Sequence, residues 1–361
     1  MPSPIYSSVK RGIQRADALK RWLIILVPLL CAAPARAQKN KLNLFIWSEY
    51  IDPQVIQSFE KAYDCKVTVN LYEDNESLLA RLEGGGTSLY DVVVPSDYIV
   101  HTMISRKLLA PLRHDNIPNI KNLDPRFAGR EYDPDNMYTV PYQWGTVGLY
   151  VRKQPGETID ETWGLIFDAK KQIGPFLIID DARTAIGVAL KYKGHSFNST
   201  DKKQLREARD LLIAARRRSL GFEGAVGAKN MVLGKACRVG MAYNGDAVRG
   251  MRDDPDTYYF IPREGSEIWV DNLAVPARAP HRDMAEKFIN YILDAKIGAQ
   301  VSNFNQYATP NQAALEFINA DDRKKPVIYP PPDVMKKLEF VKDLGPRTAW
   351  YDELWTSIKS K

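Results

Sequence analysis

The stretch Glu267-Ile-Trp269-Val-Asp271-Asn alternates like a β-strand that runs on into Leu273-Ala-Val-Pro276. Residues two apart on a strand share a face, so Trp269 and Asp271 point the same way. An indole face beside a carboxylate suits an ammonium group: the ring attracts the cation and the carboxylate neutralises it. A core tryptophan next to a strand-end aspartate is the plainer account, and this stretch alone favours it. Four other stretches shift the balance. Trp47-Ser48-Glu49-Tyr50, Ser96-Asp97-Tyr98, Asp180-Asp181 and Tyr243 through Asp246 each follow a predicted strand with the same rings and acids. They hold no Lys or Arg, Arg183 just past the third excepted.

In open α/β sheets, ligands sit beyond the carboxyl ends of the strands. Facing one cleft, these ends form an aromatic box with acidic poles. A slender organic cation is its natural guest, with methylenes between rings and ammonium groups at the carboxylates. Each cation–π contact is worth about 0.5–2 kcal/mol. A buried carboxylate without a cation is costly, so closing such a cleft empty is unfavourable and ligand binding is coupled to closure.

The scaffold for these stretches reads off in order. Lys41 to Trp47 alternates as a strand with Leu42, Leu44 and Ile46 on one face. Asp52-Pro53 opens a helix, Asp as N-cap and Pro in the first turn, with Val55, Ile56, Phe59 and Ala62 as its apolar stripe. Lys66 to Leu71 and Tyr90 to Val94 read as strands around a helix over 75–83. Gly84-Gly85-Gly86 follows that helix and lacks a trailing Gly-Lys-Ser/Thr, so it reads as a stop and turn rather than a phosphate loop. The order βαβαβ predicts a parallel sheet flanked by helices.

Residues 111–137, rich in Pro, Asn and Asp, read as irregular loop. Tyr138 to Val151 is a strand long enough to cross between two lobes. A second α/β region follows. It has strands at Phe176 to Ile179 and Arg238 to Tyr243, and a helix near 201–218 with Leu205, Ala208, Leu212 and Ala215 on one face. Tyr258 to Pro262 and Ile268 to Val275 bring the chain back. Asp283 is the expected N-cap of a helix with Met284, Phe288, Tyr291 and Ile292 inward, and residues 332–361 read as a helical, aromatic tail.

The 361 residues suffice for two domains, and 45% apolar with 26% charged residues is the balance of a globular chain. Of the formal charge of +6, the first 37 residues carry +5, which leaves about +1 and no argument for nucleic acid or an anionic membrane. Those 37 residues read as an export signal: a basic region to Arg21, an apolar run from Trp22 to Ala33, then Ala35-Arg36-Ala37 before Gln38. Cys31 raises a lipid-anchor alternative, which the large Leu30 before it disfavours. Cleavage leaves Cys65 and Cys237, expected as reduced, buried thiols in different lobes. The histidines at 101, 114, 195 and 281 offer no metal-ligand spacing, and no cofactor is expected.

The chain resembles the periplasmic spermidine/putrescine-binding proteins of bacterial polyamine ABC importers, from about Leu42 to Trp350. Its landmarks are Trp47-Ser-Glu-Tyr50, Tyr90-Asp-Val-Val-Val-Pro-Ser96-Asp-Tyr98, Pro141-Tyr-Gln-Trp-Gly145, Asp180-Asp-Ala-Arg183, Asn244-Gly245, Trp269-Val-Asp271 and Tyr307-Ala-Thr-Pro-Asn311. The resemblance implies an α/β fold of two lobes, each a mostly parallel sheet flanked by helices, joined by crossing strands and closing on a polyamine. We place lobe 1 at 38–142 with 266–316, and lobe 2 at 143–265 with 317–361. It also implies that Trp47, Ser48, Tyr50, Ser96, Tyr98, Asp181, Tyr243, Trp269, Asp271 and Tyr307 line the site. Tyr243 stands where the family usually has Trp. Thr184 stands where spermidine binders have Glu, and Val341 replaces a Gln near the C-terminus. Asp246, after Asn244-Gly245, resembles putrescine-preferring relatives. Counting Asp181, Asp246 and Asp271 as poles, with Glu49 less certain, favours a diamine such as putrescine over a longer polyamine.

Rival classes remain. A hydrolase could use paired carboxylates, but Asp180 and Asp181 are adjacent and point to opposite faces, and no Ser-His-Asp set stands out. A binding protein for another small amine stays open, as does one for ferric iron. For iron, Tyr258-Tyr259 is the candidate donor pair, though alternation puts one tyrosine in the core. The reading is a non-catalytic, monomeric, exported periplasmic protein that delivers an amine to a membrane permease and its ATPase.

Overall fold

Strand alternation and helix caps shape the first half. The computed structural model describes residues 40–361, and β1 (Asn40–Trp47) buries Leu42, Leu44 and Ile46 as expected. Asp52 accepts the Gln54 amide at 2.8 Å and starts α1 (Pro53–Tyr63), which buries Val55, Ile56 and Phe59. Ala62 lies exposed, outside the stripe assigned to it. β2 (Cys65–Tyr72) and α2 (Asn75–Glu83) follow, and α2 is capped by Asp74. Gly85 has φ 101°, so the triple glycine is a turn that an L-residue would strain. β3 (Val92–Val93) is shorter than the strand expected over 90–94, and α3 (Asp97–Ser105) starts soon after it. Residues 111–137 form loop with short 3₁₀ turns.

The second half opens with β4 (Thr139–Arg152), whose 14 residues span roughly 45 Å. Next come α4 (Gly164–Phe167), β5 (Phe176–Ile179), α5 (Ala182–Tyr192) and α6 (Lys202–Arg216). Leu205, Ala208, Leu212 and Ala215 of α6 are buried, as their spacing predicts. β6 (Phe222–Glu223), α7 (Ala225–Leu233), β7 (Val239–Tyr243), α8 (Asn244–Asp253) and β8 (Thr257–Phe260) complete this region. β9 (Glu267–Ala274) returns to the first half, where α9 (Arg282–Ile292) and α10 (Ala295–Asn305) pack. Asp283 does not cap α9. It sits inside the first turn and pairs with Arg113, at 2.5 Å. The tail is less helical than expected: α11 (Ala320–Arg323) and α12 (Pro332–Met335) are single turns, and β10 (Glu339–Phe340) adds a strand before α13 (Thr348–Lys359).

The strands form a 10-stranded sheet in the order β2-β1-β3-β9-β4-β7-β5-β6, with β8 on β4 and β10 on β9. Pairing is parallel within β2-β1-β3 and within β7-β5-β6. It is antiparallel where β9 and β4 cross the middle. One core draws on residues 42–142 and 269–307, the other on 147–260 and 341–358. A smaller cluster including Trp144, Val248, Ile268, Val270 and Ile328 bridges them at the crossing. The chain is thus a two-lobed α/β protein whose lobes share two strands.

Cys65 and Cys237 are free and buried, one in each half. Tyr259 is fully buried and Tyr258 is not, as alternation predicts. Among the described residues no helix is long and apolar enough to cross a membrane. The expected export signal over 1–37 lies outside the described residues.

Candidate functional site

The residues expected from sequence converge on one cavity. Trp47 ends β1, Ser48 and Tyr50 follow it, and Ser96 and Tyr98 flank the start of α3. Asp181 precedes α5, Tyr243 ends β7, Asp246 is in α8, Trp269 and Asp271 lie on β9, and Tyr307 follows α10. All line the same space, about 790 Å³ including its open mouth.

The rings form a chain of perpendicular contacts. Trp269 meets Tyr243 at 5.7 Å and Tyr307 at 5.1 Å, and Tyr307 meets Tyr50 at 5.4 Å. Edge-to-face packing sets the edge of one ring against the face of the next and holds the rings at fixed angles to one another. Two glycines make this possible. A Cβ on Gly145 would lie 2.5 Å from the Trp269 ring, and one on Gly245 would lie 2.6 Å from the Tyr307 ring. Gly145 pairs with Trp269 in the β4–β9 register, so the indole lies across the neighbouring backbone. Trp269 Nε1 and Tyr50 Oη are buried and meet no partner at hydrogen-bonding geometry among the described residues. Such groups cost free energy unless something enters the cavity to meet them.

The acids divide into free and occupied ones. Asp271 is 6% exposed and accepts from Ser96 Oγ at 2.6 Å. Ser96 precedes α3 but makes no side-chain cap, because its hydroxyl is turned to Asp271 instead. Burial pushes the Asp271 carboxyl up to about 7, with the Ser96 hydroxyl drawing it back. Asp181 accepts the Thr184 amide at 2.7 Å and so caps α5, and burial raises its pKa as well. Asp180 points away and pairs with Lys359 at 2.7 Å.

Asp246 differs. It accepts from Arg249 at 2.5 Å and from Tyr307 Oη at 2.9 Å. Glu49 does not line the cavity; it accepts from Arg249 at 2.6 Å and pairs with Lys229 at 3.1 Å. The pole count from sequence thus loses two members to cations already in the protein. Arg249 was missed because Asn244-Gly245-Asp246 was read as a strand end. It opens a helix, on which Asp246 and Arg249 are a familiar three-apart pair.

Glu267 was also missed. It lines the cavity, is 2% exposed, and accepts from Thr184 Oγ1 at 3.1 Å on each carboxylate oxygen. Burial first, and then the nearby Asp181 charge, push its pKa well above the usual carboxylate range. The signal was strand alternation: Glu267, Trp269 and Asp271 share one face. Arg183 lies in the wall, its guanidinium over the Tyr351 ring at 4.8 Å and bonded to the Lys342 carbonyl and the Asn198 side chain, each at 3.0 Å. Thr184 and Val341 line the cavity too.

Residues 54–331 match the family model of bacterial extracellular solute-binding proteins. The spermidine/putrescine-binding periplasmic protein of Escherichia coli (strain K12) is 30% identical over 89% of this chain and 92% of its own. The putrescine/cadaverine-binding protein of Pseudomonas aeruginosa is 29% identical over 94% of this chain and 99% of its own. Among solved structures, a putative spermidine/putrescine ABC transporter from Listeria monocytogenes superposes with a TM-score of 0.83 at 36% identity, over 89% of this chain and 99% of that one. The matched segment takes in most of both halves of the sheet and every wall of the cavity except Trp47, Ser48, Tyr50 and Val341, and on that extent the chain belongs to the bacterial extracellular solute-binding protein family and is a binding protein rather than an enzyme.

Proposed function

We propose that this chain is the periplasmic substrate-binding component of an ABC importer and that it captures a linear polyamine, a putrescine-like diamine ahead of spermidine. The observation that carries this reading is Asp271: a buried carboxylate beside the Trp269 ring, held by the Ser96 hydroxyl with the Tyr50 phenol close by, and making no ion pair among the described residues. An ammonium group supplies what that acid lacks, and the rings accept the methylenes. The names of the relatives at about this level of identity support the same ligand class. The preference for a diamine rests on two poles. Asp271 is one, and the Asp181–Glu267 end is the other. Arg249 already occupies Asp246 and leaves a cation there, which disfavours a third ammonium group. Export through residues 1–37, a monomeric state and delivery to a permease and ATPase belong to this proposal. So does closure of 38–142 with 266–316 against 143–265 with 317–361.

The test is a thermal-shift panel on residues 38–361. It holds putrescine, cadaverine, agmatine, spermidine, spermine, citrate, phosphate and ferric iron. A ligand at one hundred times its dissociation constant adds about 2.7 kcal/mol of stability. The largest shift is expected from a diamine. A larger shift from spermidine would overturn the preference, and silence from every amine would overturn the ligand class.

A further inference from the structure

We infer that Glu267 holds the second ammonium group of the ligand, so that one strand, β9, sets the nitrogen spacing the cleft accepts. This rests on the amine reading above. Glu267, Trp269 and Asp271 line the cavity from alternate positions of β9. With a rise of about 3.3 Å per residue, the Cα atoms of the two acids lie about 13 Å apart, with the indole midway. Carboxylate, ring and carboxylate thus follow one another along a straight edge, matching the order ammonium, methylenes, ammonium in a linear diamine.

The side-chain surroundings support the assignment. Glu267 is almost fully buried, and its hydrogen-bond donor is the hydroxyl of Thr184, 3% exposed itself. Among the described residues it makes no ion pair; Asp181 lies near enough to repel it, and the Arg183 guanidinium attracts it only from a distance. A purely structural glutamate at such depth would be expected to pair directly with a lysine or arginine, because a buried charge without such a pair is expensive. Thr184 stands at the start of α5 where the resemblance expects a glutamate. The structure brings a carboxylate to the same place from β9, with the threonine hydroxyl orienting it. The acid of this pole has moved from a helix start to a strand rather than vanished.

The experiment compares putrescine with n-butylamine by calorimetric titration of residues 38–361, in the parent, Glu267→Gln and Asp271→Asn. The two ligands share an ammonium and a four-carbon chain, and only putrescine carries the second charge. The parent should favour putrescine by about tenfold or more, one charge-assisted contact. Glu267→Gln should erase most of that ratio, whereas Asp271→Asn should weaken both ligands. An unaltered ratio in Glu267→Gln would overturn the inference and leave the amine reading intact. Failure of the parent to bind either ligand would remove both. Thermal melts check that each variant is folded. If Glu267→Gln is not, Thr184→Val reads the same ratio: a smaller loss of the putrescine advantage supports the inference, and an unchanged ratio overturns it.

Discussion

Asp271 shows how one residue ties ligand binding to protons. Burial raises its carboxyl to about 7, far above the roughly 3.9 of an unfolded aspartate. Such a group binds a proton more tightly in the folded state. Its stabilising effect on the empty protein is complete below the unfolded value and is lost as pH rises toward about 7. An ammonium in the cleft favours the carboxylate, so binding below about pH 7 must release a proton and weakens as pH falls. Titration with putrescine at about pH 6 and about pH 8, in buffers of different ionisation enthalpy, should show proton release at the lower pH and tighter binding at the higher. Asp271→Asn should lose more than about 1 kcal/mol of binding at the higher pH and show a flatter profile. An undiminished pH dependence in that variant would assign the proton to another group.

Among the elements, β9 carries Glu267, Trp269 and Asp271, and a glycine of β4 sets how closely the two strands approach. A methyl on Gly145 would strike the Trp269 ring at 2.5 Å and also meet the Asn244 amide oxygen. Gly145→Ala should therefore destabilise by about 1–3 kcal/mol, as overpacking does, and weaken amine binding by displacing the indole. A variant with parent stability and affinity would show that the strands have room to spare. The same pair of strands marks what was legible in the sequence. Alternation and caps gave β1, α2, β5 and both crossing strands nearly to the residue, because those signals are local. Glu267 sat in plain view on the strand, but its weight depends on Thr184, 83 residues away, and on the depth of burial. Arg249 escaped notice because a strand end and a helix start look alike at Asn244-Gly245. Asp283 resembles a cap in sequence, yet the nearby guanidinium of Arg113 competes for it and wins.

On the scale of the whole molecule, the ion pairs that remove Asp246 and Glu49 from the ligand tie the two halves together. Glu49 follows β1, in the half built on β2-β1-β3, and has φ 52°, a left-handed turn that a glutamate adopts at some cost. Its carboxylate reaches Lys229 on α7 and Arg249 on α8, both in the other half. Arg249 also donates to the Asn305 carbonyl at 3.1 Å and to Asp246, which accepts from Tyr307 in the cavity wall. A ligand that fixes Tyr307 thus bears on a guanidinium that spans the halves. On the closure proposed above, this contact forms only when the halves are together and so biases the open–closed balance. Glu49→Ala should lower putrescine affinity by a few-fold, mostly through faster release, while keeping the ligand ranking of the parent. Stopped-flow dissociation and small-angle scattering of the empty and loaded forms measure the two halves of that claim. An unchanged release rate would mean the network only decorates the rim, and a changed ligand ranking would place Glu49 in the site itself.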